Sequence, residues 1–265
     1  MTRLLPGLVM TAFWVGVLIF GPASLFWLLV TCMAAFGLYE YFKMTLQVPV
    51  GGRVFFSAAI GSLPVIVSVT NDPELFLVAL LFCLLGTVAY SLKFYDRITN
   101  PLQFLSTVSF GVFYITFCLS HLVFIRFLPQ GIAWLLVLTA VTAGSDTGAY
   151  YLGKNFGRRK LCPNISPGKT LEGAIGGITV GTLAAVALGI VLLPEMNPLF
   201  LTIVAFTLSL VSIMGDLVES IIKRSAGVKD SGTLLVGHGG VLDRIDSMLI
   251  AAPLLYYLIN IEVLI

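Results

Sequence analysis

The stretch ELFLVALLFCLLGTVAYSL, residues 74–92, contains Glu74 and no other charged side chain. A helix rises about 1.5 Å per residue, so this stretch is long enough to cross the roughly 30 Å hydrocarbon core of a bilayer. Its apolar residues follow one another without the two-residue alternation that is typical of a β-barrel strand. The stretch therefore predicts a membrane-spanning helix.

Similar apolar runs fill most of the chain, which is 58% hydrophobic and 11% charged. Soluble domains are typically about 25% charged, so we predict an all-α polytopic membrane helix bundle with about nine transmembrane helices. A helical hairpin turning at Gly21-Pro22 is favoured over a cleaved signal peptide, because a second apolar run follows at once. The predicted spans are 5–20, 23–42, 54–70, 74–92, 102–127, 131–152, 171–193, 198–222 and 240–263.

With nine spans, fourteen of the fifteen Lys and Arg residues, all except Arg126, fall on one side of the membrane. The positive-inside rule makes that side cytoplasmic, which places the N-terminus inside and the C-terminus outside. We expect the protein in a bacterial cytoplasmic (inner) membrane, with a polar cavity at the cytoplasmic face.

Charge is concentrated in the second half of the chain. We expect residues 1–128 to form a transmembrane scaffold, and residues 129–265 to form the catalytic region with cytoplasmic loops 153–170 and 223–239. Within that region five small residues are spaced by four and predict close helix packing, with a lipid-access groove as the alternative. They are Gly173, Gly177, Gly181, Ala185 and Gly189.

Acidic residues lie in or beside several predicted spans. Asp243 and Asp246 are three residues apart and share a helical face, as do Asp216 and Glu219, while Asp146 lies in GSDTGAYY. Carboxylates in a membrane span face a cavity, a partner or an ion, although pairing with neighbouring Lys or Arg is the alternative for any one of them.

Four aspartates in or beside the last two predicted spans together favour a cation site, and their oxygen ligands indicate Mg²⁺. They are Asp216, Asp230, Asp243 and Asp246. Zinc is disfavoured, because His121 and His238 are the only histidines and the four cysteines show no metal-ligand spacing.

The loop GKNFGRRKLCPNISPGKTLEG, residues 153–173, combines basic residues, glycines and a predicted helix start at or near Thr170. Such a loop can surround phosphates, and contact with anionic lipid headgroups is the alternative. Glycines in GHGG, residues 237–240, permit close approach of the backbone to a ligand. His238 beside them is a candidate ligand contact or a structural histidine. From the residues alone we predict Mg²⁺-assisted phosphoryl or nucleotidyl transfer, with a lipid as one substrate.

The stretch SIIKRSAGVKDSGTLLVGHGGVLDRID, residues 220–246, resembles the signature of the phosphatidate cytidylyltransferases (CDP-diacylglycerol synthases). The resemblance extends through SDTGAYYLGKNFGRRK and SPGKTLEGAIGG, whereas the first half matches only as a set of hydrophobic spans. Val236 stands where the family usually has Pro, and Gly168 where it usually has Lys or Arg. The first departure bears on loop geometry, and the second removes one cation from the phosphate side.

The resemblance implies that CTP and phosphatidate react to CDP-diacylglycerol and pyrophosphate for phospholipid synthesis. It implies that Asp216, Asp243 and Asp246 bind Mg²⁺, with room for a second cation, and act in catalysis with Lys223 and Arg244. Implied or candidate substrate-binding residues are Asp146, Lys169, Arg224, Lys229, Asp230, His238, Gly239 and Gly240. No nucleic-acid partner is expected. Whether the protein forms a homodimer is left open. The rivals are a CTP-dependent polyprenol or phytol kinase, an ion-coupled transporter and a non-catalytic membrane scaffold.

Overall fold

Helices make up nearly all of the regular structure in the computed structural model, which describes residues 4–46, 51–232 and 239–264. In chain order they are α1 (Leu4–Phe20), α2 (Ala23–Thr45), α3 (Gly52–Gly61), α4 (Leu63–Val67), α5 (Pro73–Lys93), α6 (Pro101–Gly111), α7 (Cys118–Phe127), α8 (Gly131–Phe156), α9 (Leu171–Leu192), α10 (Pro198–Ser225), α11 (Leu242–Leu249) and α12 (Ala251–Leu264). A two-stranded hairpin, β1 (Lys160–Cys162) and β2 (Ser166–Thr170), lies between α8 and α9.

The predicted all-α polytopic membrane bundle is confirmed, with eight helical segments in the described part of the chain that are long and apolar enough to span a membrane. Three of them combine shorter helices: Gly52–Thr70, Pro101–Phe127 and Leu242–Ile261. Within the second, a π-helical stretch, Val112–Phe117, joins α6 to α7. The expected ninth span corresponds to α1, whose 17 residues reach only about 26 Å, less than the hydrocarbon thickness.

Side-chain caps and prolines explain where several of these helices begin. The Asp72 carboxylate accepts hydrogen bonds from the backbone N–H groups of Glu74 (2.9 Å) and Leu75 (3.2 Å), and Pro73 follows it. Asn100 caps α6 in the same way, through the N–H of Gln103 at 3.0 Å. The first turn of a helix has N–H groups without helical acceptors, so these side chains fix the start of each span.

The chain folds as two compact units. The first unit comprises Met1–Phe127 and Ser225–Arg244, and its core is built around Phe26, Leu38 and Leu122. The second unit comprises Leu128–Arg224 and Ile245–Ile265. The functional division expected between residues 128 and 129 stays a prediction.

Within the second unit the glycine stripe of α9 packs against α8. All five small residues of the stripe are buried. A Cβ atom on Gly177 would lie 2.8 Å from the carbonyl oxygen of Ser145, and one on Gly181 would lie 2.9 Å from that of Val141. Real Cβ atoms keep a greater distance from their neighbours, so these glycines allow the two helix backbones to approach closely, as the spacing predicted.

Candidate active site

The loop between α8 and α9 is an ordered hairpin that leads directly into α9. Its strands are antiparallel, with Lys160 opposite Thr170 and Cys162 opposite Ser166. The Thr170 hydroxyl then accepts a hydrogen bond from the N–H of Gly173 at 3.1 Å, which confirms the predicted helix start. The Glu172 carboxylate accepts from the N–H groups of Arg158 (3.0 Å) and Arg159 (3.2 Å), so the first turn of α9 also holds the beginning of the hairpin.

Three carboxylates converge in the second unit: those of Asp216, Glu219 and Asp246. One oxygen from each lies within 4.8 Å of the other two. Asp216 and Glu219 share a face of α10, and Asp246 comes from α11. Gly215 permits this approach, because a Cβ atom there would lie 2.5 Å from the Asp246 carbonyl oxygen. The structure thus brings together two of the three predicted metal ligands, Asp216 and Asp246, and adds Glu219.

Two lysines balance part of this negative charge. Lys169, on β2, forms an ion pair with Asp216, and Lys223 forms one with Glu219 at 2.5 Å, one turn along α10. The Glu219 side chain is fully buried, whereas about a quarter of Lys169 and a third of Asp216 are exposed. With all five groups ionised, the three carboxylates and two ammonium groups leave one net negative charge. The exposed part of Lys169 is its carbon chain, because its Nζ atom is buried.

Beside the cluster lies a cleft of about 460 Å³ in the second unit. Asp146, Tyr150 and Lys154 of α8 line it together with Lys169 and Asp216. The cleft lies beside the end of α8, the start of α9 and the part of α10 around Asp216, so polar residues of three consecutive helices meet there. Its volume is in the range of small-molecule sites, which are usually about 300–1,000 Å³.

Asp243 has different surroundings from Asp246, although both belong to α11. Asp243 lies in the first unit, where its Oδ2 atom accepts hydrogen bonds from Ser231 N (3.0 Å), Ser231 Oγ (3.0 Å) and Gly240 N (2.8 Å). Three donors on one oxygen hold the carboxylate in a fixed direction. Its assignment as a metal ligand stays a prediction.

The other predicted substrate-binding residues are spread over both units. In the second, Arg224 donates from Nε to the carbonyl oxygen of Ile165 at 3.3 Å, which ties the end of α10 to the hairpin. In the first, Lys229, Asp230 and Arg244 are exposed. Gly239 has a φ of +81°, in the left-handed region that favours glycine, and Gly240 donates to Asp243. His238 and Val236 lie outside the described residues.

Two acidic residues were absent from the predicted site. The sequence shows that Glu219 shares a helical face with Asp216, the same signal that pairs Asp243 with Asp246, but Glu219 was not assigned to the site. Glu40 is an acid near the end of an otherwise apolar span, and it is 3% exposed. Ionisable residues inside predicted spans are functional candidates by default, and that signal was available in the sequence.

Comparison with known proteins identifies the family of this chain. A model of the cytidylyltransferase family matches residues 1–262. A phosphatidate cytidylyltransferase of Pseudomonas aeruginosa is 32% identical over 256 residues, which is 95% of this chain and 93% of that protein. This chain belongs to the cytidylyltransferase family. The resemblance inferred from residues 220–246 is therefore confirmed, and the matched region also includes the N-terminal spans.

Other relatives match mainly over a shorter region. The phosphatidate cytidylyltransferase of Bacillus subtilis is 41% identical over 153 residues, or 57% of each chain. The uncharacterized protein YnbB of Escherichia coli is 44% identical over 169 residues, or 61% of this chain and 56% of YnbB. The chain thus spans a little over half the length of these two relatives.

Proposed function

We propose that this integral membrane protein transfers the cytidylyl group of CTP to phosphatidate, forming CDP-diacylglycerol and pyrophosphate. The convergence of Asp216, Glu219 and Asp246 beside Lys169 and Lys223, at a cleft in a cytidylyltransferase-family chain, carries this proposal. The names of the relatives from Pseudomonas aeruginosa and Bacillus subtilis supply the substrate phosphatidate.

The proposed reaction needs no covalent enzyme intermediate. An oxygen of the phosphatidate phosphate attacks the α-phosphorus of CTP, and the bond from that phosphorus to the oxygen bridging to the β-phosphate breaks. The electron pair of that bond leaves with pyrophosphate. Two anionic substrates must approach each other, so cationic groups at the cleft lower the barrier by neutralising their charge. Lys154 and Lys169 both line the cleft, and Lys169 also pairs with Asp216 of the acidic cluster.

The acidic cluster fits Mg²⁺, because its three donors are carboxylate oxygens that lie within 4.8 Å of one another. When bound, Mg²⁺ would supply positive charge to the phosphates that react. Lys169 and Lys223 pair with the two carboxylates of α10, and a phosphate in the cleft would compete for Lys169. The assignment of Asp243 as a further metal ligand belongs to this proposal, and so does a second cation.

We further propose that the cleft faces the cytoplasm from the inner membrane of a bacterium. Support comes from the last turn of α8 and the loop that joins α8 to α9, which together contain Lys154, Arg158, Arg159, Lys160 and Lys169. The loop that joins α9 to α10 contains Glu195 and no basic residue. Basic loops are retained on the cytoplasmic side, and CTP is a cytoplasmic nucleotide.

Product analysis with purified protein, Mg²⁺, phosphatidate vesicles and CTP tests the proposed reaction. With CTP labelled at the α-phosphate we expect the label in the lipid, and with CTP labelled at the γ-phosphate we expect it in pyrophosphate. Transfer of the γ-label to the lipid with release of CDP would instead indicate a lipid kinase. Absence of turnover with both labels, in folded protein, would contradict enzymatic use of CTP.

A further inference from the structure

Glu40 is a buried acid whose surroundings explain its place near the end of α2. Its side chain and backbone together are 3% exposed. A carboxylate in such a place is costly unless it is paired or accepts several hydrogen bonds, so its partners identify its role.

Those partners are Ser231 and the residues at the start of α11, about 200 positions later in the chain. Oε1 accepts a hydrogen bond from Val241 N at 3.1 Å, and Oε2 accepts from Leu242 N at 3.0 Å and from Ser231 Oγ at 3.2 Å. The N–H groups at the start of a helix have no helical acceptors, and the positive end of the helix dipole lies there. Glu40 thus caps α11 with a side chain from a different helix.

Two glycines make room for this carboxylate. A Cβ atom on Gly232 would collide with Oε1 of Glu40, and one on Gly240 would collide with Oε2. Glycine at these two positions is therefore explained by the approach of Glu40, in addition to any approach of a ligand.

Ser231 connects Glu40 to Asp243. Its hydroxyl lies 3.2 Å from Glu40 Oε2 and 3.0 Å from Asp243 Oδ2, and it has one hydrogen to share between the two acceptors. Asp243 also accepts from the N–H of Gly240, the residue before the two that Glu40 holds. The direction of the Asp243 carboxylate therefore depends on the same short segment that Glu40 anchors.

We propose that Glu40 is a positioning residue, which anchors Gly240–Leu242 and Ser231 and thereby fixes the Asp243 carboxylate in its working direction. This role rests on the proposed function, in which Asp243 belongs to the catalytic centre. All of these hydrogen bonds lie within the first unit.

Glu40→Gln is the sharpest substitution, because it preserves shape while placing an NH₂ group against one of two backbone N–H donors. We expect kcat to fall about tenfold or more while the KM for CTP changes less than about twofold, since no substrate contact is removed. Hydrogen exchange of the metal-free protein should be faster in peptides that cover residues 239–245. The Mg²⁺ concentration for half-maximal activity should rise.

Two companion variants separate positioning from general stability. Glu74→Gln changes an exposed glutamate of the same unit and should leave kcat and exchange unchanged. Gly232→Ala adds only a methyl group, directed at Glu40, and should reproduce the loss of kcat and the faster exchange. Combined with Glu40→Ala, which removes the obstructed carboxylate, Gly232→Ala should cause little further loss.

The positioning role is overturned if Glu40→Gln loses activity only in proportion to its folded fraction, or if exchange at 239–245 is unchanged. A wild-type protein that is folded but makes no CDP-diacylglycerol refutes the proposed reaction instead. An active wild-type protein with a fully active Glu40→Gln variant refutes only the positioning role.

Discussion

At the scale of single residues, the same side-chain type serves different purposes at neighbouring positions. Asp243 accepts three hydrogen bonds from a loop and a helix start, whereas Asp246 lies among other carboxylates and accepts from the adjacent Ser247 N at 2.6 Å. Replacement of Asp243 therefore removes structural hydrogen bonds, whereas replacement of Asp246 relieves repulsion between like charges. Replacing each aspartate in turn can therefore distinguish their roles, although the sequence places both on one helical face.

Lys169 offers a prediction at the same scale. Lys169→Ala removes the ion pair with Asp216 and a charge at the cleft. We expect kcat/KM for CTP or phosphatidate to fall about ten- to a hundredfold, because a charge-assisted phosphate contact contributes roughly 1.5–3 kcal/mol. Steady-state kinetics with each substrate varied in turn would measure this.

Lys160→Ala is the matched control, because Lys160 is an exposed lysine of the same hairpin. It should retain nearly full kcat/KM. Equal losses of kcat/KM in the two variants would indicate that the loop acts through its total charge. That result is expected of a loop that only sets topology or contacts lipid headgroups.

At the scale of elements, helix starts were predictable and the hairpin was not. Thr170 stands before an apolar run, and the structure confirms it as the cap of α9. The strand that precedes it contains Pro167 and Gly168, which are poor strand formers, so its sequence does not indicate β-structure. Its backbone instead pairs with β1. The residues just before β1, Arg158 and Arg159, are held by the Glu172 carboxylate, which depends on the completed first turn of α9.

Glu172→Ala tests whether this interaction orders the hairpin. The N–H groups of Arg158 and Arg159 would lose their shared acceptor, so we expect faster hydrogen exchange in peptides covering residues 158–169. The KM for CTP should rise about two- to tenfold, because Lys169 is then less well fixed. The thermal unfolding temperature should change little.

Glu195→Ala provides the comparison, since Glu195 is an exposed glutamate in the loop after α9. It should alter neither exchange in the hairpin nor KM. Hairpin exchange that is unchanged in Glu172→Ala would show that other interactions order this element.

At the scale of the whole molecule, composition predicted the membrane bundle. It could not predict which distant helices contact each other. Apolar runs predict the spans nearly correctly, because a helix forms all of its backbone hydrogen bonds within the same stretch of sequence that crosses the lipid. The contact of Glu40 with Val241 and Leu242 joins segments about 200 residues apart, and hydropathy carries no information about such pairs. Asp216 and Asp246 could be proposed together only because each lies near a predicted span end.

The orientation of the bundle is a prediction at this scale. With native cysteines replaced by alanine, Lys160→Cys should react with a membrane-impermeant maleimide only from the cytoplasmic side. Glu195→Cys should react from the opposite side, because α9 crosses the membrane between the two positions. Labelling of Lys160→Cys from outside the cell would contradict a cytoplasmic cleft.

The most direct measurement of the central claim is turnover and thermal unfolding of Asp246→Asn on one purified sample. If Asp216, Glu219 and Asp246 hold a cation for cytidylyl transfer, turnover should fall on the order of a hundredfold, about 3 kcal/mol of lost transition-state stabilisation. The metal-free variant should unfold no earlier than the wild type, because one of three clustered negative charges is gone. The stabilisation of the wild type by Mg²⁺ should disappear. Near-normal turnover, or a loss of turnover that follows only the folded fraction, would contradict the account.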